Sequence, residues 1–191
     1  MSEAAKPKLI SVDWGTSNLR ACLIGDSGQV IDQVSSDQGL LNRPENFEQC
    51  LLSLIGHWLN PDARLNIILS GMVGSPSGWT EVPHLPAPAT AQHLADGAKR
   101  VSQAQGSSVW IVPGVFGNGA AGIHDIMRGE EIQFFGAEHL RHQQELTIPA
   151  YWCFPGTHNK WIAAGPTIDQ FSTSMVGEFF ELARRQPLLA Q

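Results

Sequence analysis

The first 34 residues alternate between short apolar runs and turn residues. Apolar side chains concentrate in 8–13, 19–24 and 30–34, and the polar, glycine-containing segments 14–18 and 26–28 separate these runs. Short apolar runs bounded by such turns are typical of β-strands joined by hairpins. The pattern therefore predicts an antiparallel meander of three strands.

The apolar period changes after this meander. Residues 44–59 predict an amphipathic helix with Pro44 in its first turn. The apolar positions on one face of this helix are Phe47, Leu51, Leu54, Ile55 and Trp58. The compact apolar run 65–69 is typical of a buried parallel strand, and the proline-rich segment after it predicts a loop with one short strand at 79–82.

A second helix at 91–103, weakened by Gly97, and a strand at 109–112 complete a βββαβαβ order. We therefore predict an α/β fold with a mixed sheet. A further helix is predicted at 129–140, after which the opening pattern returns with strands at 151–154, 160–164 and 168–171 and a helix from Gly177.

The sequence thus predicts the same domain started twice. The first domain spans 8–126, a connecting helix 127–148, and the second domain begins at 149 and reaches 191 without its later strands and C-terminal part. An open sheet edge in 151–171 predicts self-association unless a partner covers it. A homo-oligomer is therefore one of the expected assemblies.

Composition narrows the class of protein. The 191 residues are 42% hydrophobic and 16% charged, which predicts a globular, soluble chain. Twelve basic against 18 acidic residues give a net charge of −6, so no basic footprint for nucleic acid or membrane is expected. The absence of an apolar leader or long apolar run predicts the cytoplasm.

Cysteine and histidine patterns offer no metal site. The three cysteines are widely spaced without a CxxC pair, so we expect buried thiols in a reducing compartment. His139 and His142 have helical i, i+3 spacing but no third ligand, so both are expected on the solvent side of a helix. His57 is expected to be structural.

The candidate chemistry begins where the first strand ends. Asp13 is followed by a loop in which Gly15 tolerates close approach of a ligand, and such a turn can direct several backbone N–H groups at one anion. The predicted phosphate-binding residues are Gly15, Thr16, Ser17 and Asn18. Asp13 is the predicted Mg²⁺ ligand, since that ion takes one or two carboxylates and keeps several waters. An ordinary hairpin with a satisfied aspartate is the alternative.

A phosphate hairpin that opens a βββαβαβ unit and recurs later resembles the actin-like ATPase fold, in which two ribonuclease-H-like domains clamp a nucleotide. The strings DWGTSNLR (13–20), SGMVGSPSGW (70–79), MRGEE (127–131), PGTHNKW (155–161) and MVGE (175–178) together resemble the 2-dehydro-3-deoxygalactonokinase family. That resemblance implies transfer of the ATP γ-phosphate to the 6-hydroxyl of 2-dehydro-3-deoxy-D-galactonate, a small sugar acid.

Phosphoryl transfer needs a carboxylate near the attacking hydroxyl. Asp125, Glu130 and Glu131 are the candidates, with the glutamate pair favoured by its likeness to a catalytic segment of exopolyphosphatases. The alternative is that both glutamates only stabilise a helix N-terminus. Arg128 is predicted to bind the substrate carboxylate through its planar fork, or else to pair with a surface acid.

The second hairpin is predicted to hold the other side of the phosphates. Its candidate residues are Gly156, Thr157, His158 and Lys160, with His158 also directed at the substrate. Phe154 and Pro155 stand where relatives such as hexokinase begin an Asp-x-Gly, so Lys160 is expected to supply charge instead. Trp79 is predicted to line the sugar-acid pocket.

Three functions stay open at this point. The first is a sugar-acid kinase, the second a nucleotide-binding fragment that cannot turn over, and the third a phosphohydrolase of the same superfold. No glycine-rich adenosine motif follows residue 178, and this weakens the prediction of activity but not of ancestry.

Overall fold

The structure is a computed structural model with four helices and twelve strands in its described residues. These residues are 5–42, 44–60, 64–119 and 122–185. The strands are β1 Pro7–Trp14, β2 Leu19–Gly25, β3 Val30–Ser36, β4 Asn66–Gly71, β5 Leu85–Pro86, β6 Lys99–Ala104, β7 Ser107–Ile111, β8 Val115–Asn118, β9 His124–Met127, β10 Tyr151–Phe154, β11 Asn159–Ala163 and β12 Phe171–Ser174. The helices are α1 Phe47–Ile55, α2 Ala91–Asp96, α3 Glu130–Gln143 and α4 Val176–Arg184.

The chain forms two compact units. The first contains the residues up to Pro83 together with Leu94–Gly114, and the second contains His84–His93 together with the residues from Val115 onward. This division differs from the predicted boundary after residue 126, and the predicted repeat of one domain stays a prediction. Its last residues, 186–191, lie outside the described part of the chain.

The first unit contains a six-stranded mixed sheet of order β3-β2-β1-β4-β7-β6. Strands β1, β2 and β3 pair antiparallel, whereas β1 pairs parallel with β4 and β4 with β7. Strand β1 lies at the centre, and its side chains Ile10, Val12 and Trp14 are fully buried. The predicted meander, the parallel strand predicted at 65–69 and the strand predicted at 109–112 are confirmed.

Helix α1 begins three residues later than predicted. Asn46 is its N-cap and accepts a hydrogen bond from the Gln49 N–H at 2.9 Å, so Pro44 precedes the helix instead of occupying its first turn. Phe47, Leu51 and Ile55 are buried, as the predicted apolar face requires.

The predicted helix 91–103 is wrong beyond Asp96. Residues Lys99–Ala104 form strand β6, which pairs antiparallel with β7 at the edge of the sheet. Gln105 and Gly106 both have positive φ, 46° and 84°, which is the geometry of a tight two-residue hairpin. Pairing with β7 therefore overrides the helix-forming composition of this segment. The predicted strand at 79–82 is also absent, since these residues form loop.

The second unit contains two three-stranded sheets, β10-β11-β12 and β5-β8-β9. Strands β10, β11 and β12 form the predicted antiparallel meander, but the third strand lies at Phe171–Ser174 instead of 168–171. Ile168 forms an isolated bridge with Ala89, which ends the loop before that strand. Helix α3 confirms the predicted helix 129–140.

A buried ion pair within α3 is linked to β10 by a tryptophan hydrogen bond. Arg141 Nε and Nη2 each lie 2.9 Å from Glu138 Oε2, and Trp152 Nε1 donates to Glu138 Oε1 at 2.7 Å. Burial raises the pKa of Glu138, but the hydrogen bonds from Trp152 and Arg141 outweigh it and hold this pKa below its usual range. The carboxylate is thus charged and fully engaged within the fold.

Cysteine burial differs from the prediction. Cys50 is buried and its thiol lies 3.0 Å from Gln38 Oε1, whereas Cys22 is half-buried and Cys153 is exposed. His139 and His142 are exposed on α3, as predicted. Among the described residues no helix is long and apolar enough to cross a membrane.

Candidate phosphate and substrate site

Asp13 is the second-last residue of β1, and in the sheet it pairs with Arg20 of β2 and Ser70 of β4. Burial raises the pKa of this carboxyl, and the charge of Arg20 partly opposes the shift. A partly desolvated carboxylate is attracted more strongly to a cation than one in bulk water. Asp13 is therefore placed at a strand end where added positive charge would stabilise the folded protein.

The segment 39–41 packs against the first hairpin, residues 15–18, and donates hydrogen bonds to it. We call this segment the brace. The Gly15 N–H donates to Asn18 O at 2.9 Å, and the amides of Leu40 and Leu41 donate to the carbonyls of Gly15 and Thr16 at 3.1 and 2.9 Å. A Cβ on Gly39 would lie 2.4 Å from Thr16 O and 2.3 Å from the Ser17 carbonyl carbon. The brace therefore requires glycine at position 39.

The carbonyls of Gly15, Thr16 and Asn18 each accept a backbone hydrogen bond. Within the described part of the chain, the backbone N–H groups of Thr16 and Ser17 have no protein acceptor, and both residues are exposed. Exposed amides clustered in one turn are suited to binding an anion. The hairpin can therefore receive a phosphate without breaking a hydrogen bond within the chain.

A glycine in β4 allows this strand to approach Asp13 closely. Gly71 has a φ of 88°, and a Cβ there would lie 2.8 Å from Trp14 O and 3.2 Å from Asp13 Oδ1. No cluster of three or more metal-ligating side chains occurs in the described residues. A single carboxylate fits Mg²⁺ bound with phosphates, because that ion retains waters and needs few protein ligands.

The second hairpin repeats this bracing with different residues. The Gly156 N–H donates to Asn159 Oδ1 at 3.0 Å, and the Glu178 N–H donates to Thr157 O at 2.9 Å. A Cβ on Gly177 would lie 1.9 Å from Gly156 O. The loops GTSN and GTHN are thus each held by a closely packed glycine and by a backbone amide from a later segment.

His158 and Lys160 have partners within the fold. His158 Nε2 lies 3.0 Å from Glu178 Oε2 in an exposed pair, so no contact directs it at a substrate. Lys160 is buried, donates to Ile126 O and Thr173 Oγ1, and lies 3.5 Å from Asp125 Oδ1. Lys160 is thus hydrogen-bonded within the fold, and its role in supplying charge to a phosphate stays a prediction.

The three candidate bases occupy different environments. Asp125 accepts a hydrogen bond from Thr173 and pairs with Lys160. Glu131 is fully buried and accepts the Gly129 N–H at 2.8 Å on both carboxylate oxygens, while burial raises its pKa to about 8. Glu130 is the first residue of α3 and is half-buried. Asp125 and Glu130 are thus both half-buried, whereas Glu131 is fully buried.

Glu131 should make the stability of the protein fall as pH rises. Its folded pKa of about 8 exceeds the ordinary 4.5, so its stabilising contribution is complete below about pH 4.5 and is lost as pH rises through 8. Since one pKa unit corresponds to about 1.4 kcal/mol, the total loss should reach several kcal/mol. Chemical denaturation between pH 5 and 9 should show this slope in the wild type.

The Glu131→Gln variant should show a much flatter pH profile, since its side chain does not titrate. Glu81→Gln, at an exposed carboxyl, is the matched control and should retain the wild-type slope. Equal slopes in wild type and Glu131→Gln would contradict a buried carboxyl with a raised pKa.

Arg128 follows β9, and its Nη2 lies 3.2 Å from Nδ1 of His84, which precedes β5. The sequence did not single out His84, because the contact joins residues 44 positions apart. Trp79 stacks on Phe47 of α1, with ring centroids 6.1 Å apart and planes inclined by 12°. The place of Trp79 in a sugar-acid pocket stays a prediction.

The chain is a mixed α/β protein in which a strand–loop–strand motif with a GT-x-N loop occurs twice. The family profile described as 2-keto-3-deoxy-galactonokinase matches residues 13–191. The chain belongs to this kinase family.

Similar proteins support this membership. The chain is 34% identical over 185 residues to DgoK1 of Rhizobium meliloti (strain 1021), and 31% identical to a protein of Escherichia coli (strain K12); the names of both give 2-dehydro-3-deoxygalactonokinase. A crystal structure from Sinorhizobium meliloti, described with the same activity, superposes with a TM-score of 0.78 at 32% identity over 95% of this chain. The chain spans 57% and 58% of the two named relatives and 58% of the solved chain.

Proposed function

We propose that this chain carries the Mg·ATP-binding hairpins of a kinase that phosphorylates the 6-hydroxyl of 2-dehydro-3-deoxy-D-galactonate. The observation that carries the proposal is the hairpin after Asp13, whose carbonyls at Gly15 and Thr16 accept hydrogen bonds from the segment 40–41 and whose amides at Thr16 and Ser17 are exposed. Family membership supplies the substrate class. The antiparallel meander followed by parallel strands supports the actin-like, ribonuclease-H-like fold.

Each site residue then has a chemical task. Asp13 would hold Mg²⁺, which neutralises phosphate charge when bound, and the amides of Thr16, Ser17 and Thr157 would bind phosphate oxygens. Arg128 would bind the substrate carboxylate, because a guanidinium matches a planar anion with two parallel hydrogen bonds. These positions orient the reactants, which is most of what phosphoryl transfer requires of a protein.

Glu130 is the proposed base. It would accept the proton of the 6-hydroxyl as that oxygen bonds to the γ-phosphorus and the bond from this phosphorus to the bridging oxygen of ADP breaks. A buried Glu131 cannot meet a substrate hydroxyl without rearrangement, and Asp125 is already paired with Lys160. Accessibility and hydrogen-bond reach are the first requirements for a general base.

The test is turnover of the 191-residue protein with Mg·ATP and the sugar acid. We expect ADP release that depends on the acid, and a phosphorylated acid identified by ³¹P NMR. Glu130→Gln should lower kcat at least about 100-fold, in the range typical of general-base loss, with unchanged affinity for Mg·ATP. Glu145→Gln, at an exposed carboxylate of the same unit, is the matched control.

The other outcomes separate the alternatives. Thermal stabilisation by Mg·ATP without ADP release would indicate nucleotide binding without turnover. Inorganic phosphate released without the acid would indicate a phosphohydrolase. A protein that shows neither stabilisation by Mg·ATP nor turnover would overturn the proposed function.

A further inference from the structure

His84 and Arg128 occupy matching positions at one end of the β5-β8-β9 sheet. Leu85, Val115 and Met127 form one row across its three strands. His84 lies one residue before this row on β5, and Arg128 one residue after it on β9. The register of the sheet therefore places both residues at the same end of it. Their side chains meet there, with Arg128 Nη2 3.2 Å from His84 Nδ1.

The chemistry of the contact fixes the state of the imidazole. A guanidinium has only donors, so His84 Nδ1 must be the acceptor and the ring proton must lie on Nε2. Burial, and secondly the charge of Arg128, lower the pKa of His84, which favours the same neutral form. His84 Nε2 is buried and has no hydrogen-bond partner in the described ranges. No other described hydrogen bond therefore competes with Arg128 for the orientation of the ring.

We propose that His84 is a positioning residue for substrate recognition: its neutral imidazole accepts a hydrogen bond from Arg128 and holds the guanidinium ready for a ligand carboxylate. The inference rests on the proposed function, since it assigns the partner of the residue that would bind the acid. A long arginine side chain has many rotamers, and holding it before binding lowers the entropic cost of forming a bidentate pair.

Binding measurements on the 191-residue protein test this role. Isothermal titration calorimetry with 2-dehydro-3-deoxy-D-galactonate should give a Kd about tenfold higher for His84→Ala than for the wild type, as expected for loss of one hydrogen bond to a charged group. The Kd for Mg·ATP should not change, because a positioning residue for the acid has no task in nucleotide binding.

Three further variants separate positioning from general damage to the fold. His84→Asn should recover most of the affinity, because its amide oxygen can replace Nδ1 as an acceptor. In an Arg128→Ala background, His84→Ala should add nothing, since the group it positions is gone. His139→Ala, at an exposed histidine of α3 in the same unit, is the matched control and should bind like the wild type.

The tautomer provides a readout that needs no ligand. Long-range ¹⁵N–¹H NMR should show His84 protonated on Nε2 alone at pH 7.5, and loss of Arg128 should change the Nδ1 shift. Protonation on Nδ1 would overturn the inference, as would wild-type acid affinity in His84→Ala together with lost affinity in Arg128→Ala; the proposed function would survive both results. A wild-type protein that binds Mg·ATP but no sugar acid would overturn the proposed substrate and this inference with it.

Discussion

Replacing Asp13 by asparagine is expected to weaken Mg·ATP binding at least about 30-fold. The substitution keeps the shape of the side chain but removes the proposed Mg²⁺ ligand, and loss of one partner of a desolvated charge pair costs about 2 kcal/mol or more. The measurement is the Kd of Mg·ATP by calorimetry, supported by the shift in melting temperature at saturating nucleotide.

The same substitution should leave the ligand-free protein at least as stable as the wild type. The raised pKa of Asp13 means that its charge opposes folding at neutral pH, so a neutral asparagine removes a cost. Asp26→Asn, in the exposed turn between β2 and β3, is the matched control and should change neither property. Unaltered Mg·ATP affinity in Asp13→Asn would refute the assignment of the metal ligand.

Replacing Gly39 by alanine should destabilise the protein by about 2–3 kcal/mol, as expected for overpacking that side chains cannot relieve. The new methyl group would meet backbone atoms of Thr16, Ser17 and Asn18 at 2.3–2.6 Å. Relief requires the hairpin to move away from Leu40 and Leu41, which breaks the brace. We therefore expect Mg·ATP stabilisation to fall in the same variant. Urea denaturation with and without nucleotide measures both effects.

Gly56→Ala is the matched control for this substitution. Gly56 follows α1 with φ of −57° and has nothing within 4 Å of a new Cβ. Alanine there should be neutral or stabilising by up to about 1 kcal/mol, because it reduces the entropy of the unfolded chain. If Gly39→Ala behaves like Gly56→Ala, the brace does not set the geometry of the phosphate loop.

Local patterns predicted both meanders and the strands β4 and β7, but none of the three strands of the β5-β8-β9 sheet. The alternation in the first 34 residues and its return after residue 150 depend on neighbours in sequence, and both meanders form as expected. The edge strand β6 was missed because its residues favour a helix when considered alone. Only pairing with β7, through the positive-φ turn at Gln105 and Gly106, makes this segment a strand.

The sequence predicted which residue types form the candidate site, but not the burial or the long-range contacts of these residues. Asp13 and the hairpin after it follow from a short string, and the structure adds the brace from Gly39. The sequence could not distinguish Glu130 from Glu131, because burial depends on which groups pack over the start of α3. His84 was invisible for a related reason, since its contact with Arg128 joins distant segments through sheet register.

The brace also determines where the first unit can tolerate changes in chain length. The amides of Leu40 and Leu41 meet hairpin carbonyls in a fixed order, so one inserted residue between Ser36 and Leu40 would shift both donors out of phase with their acceptors. The turn at Gly28 has its own backbone hydrogen bonds, from Gly25 to Gln29 and from Gly28 to Gly25, but none of them involves the phosphate loop. A tag or reporter peptide placed near Gly28 should therefore spare the phosphate loop, whereas the same insertion before Leu40 would disrupt it.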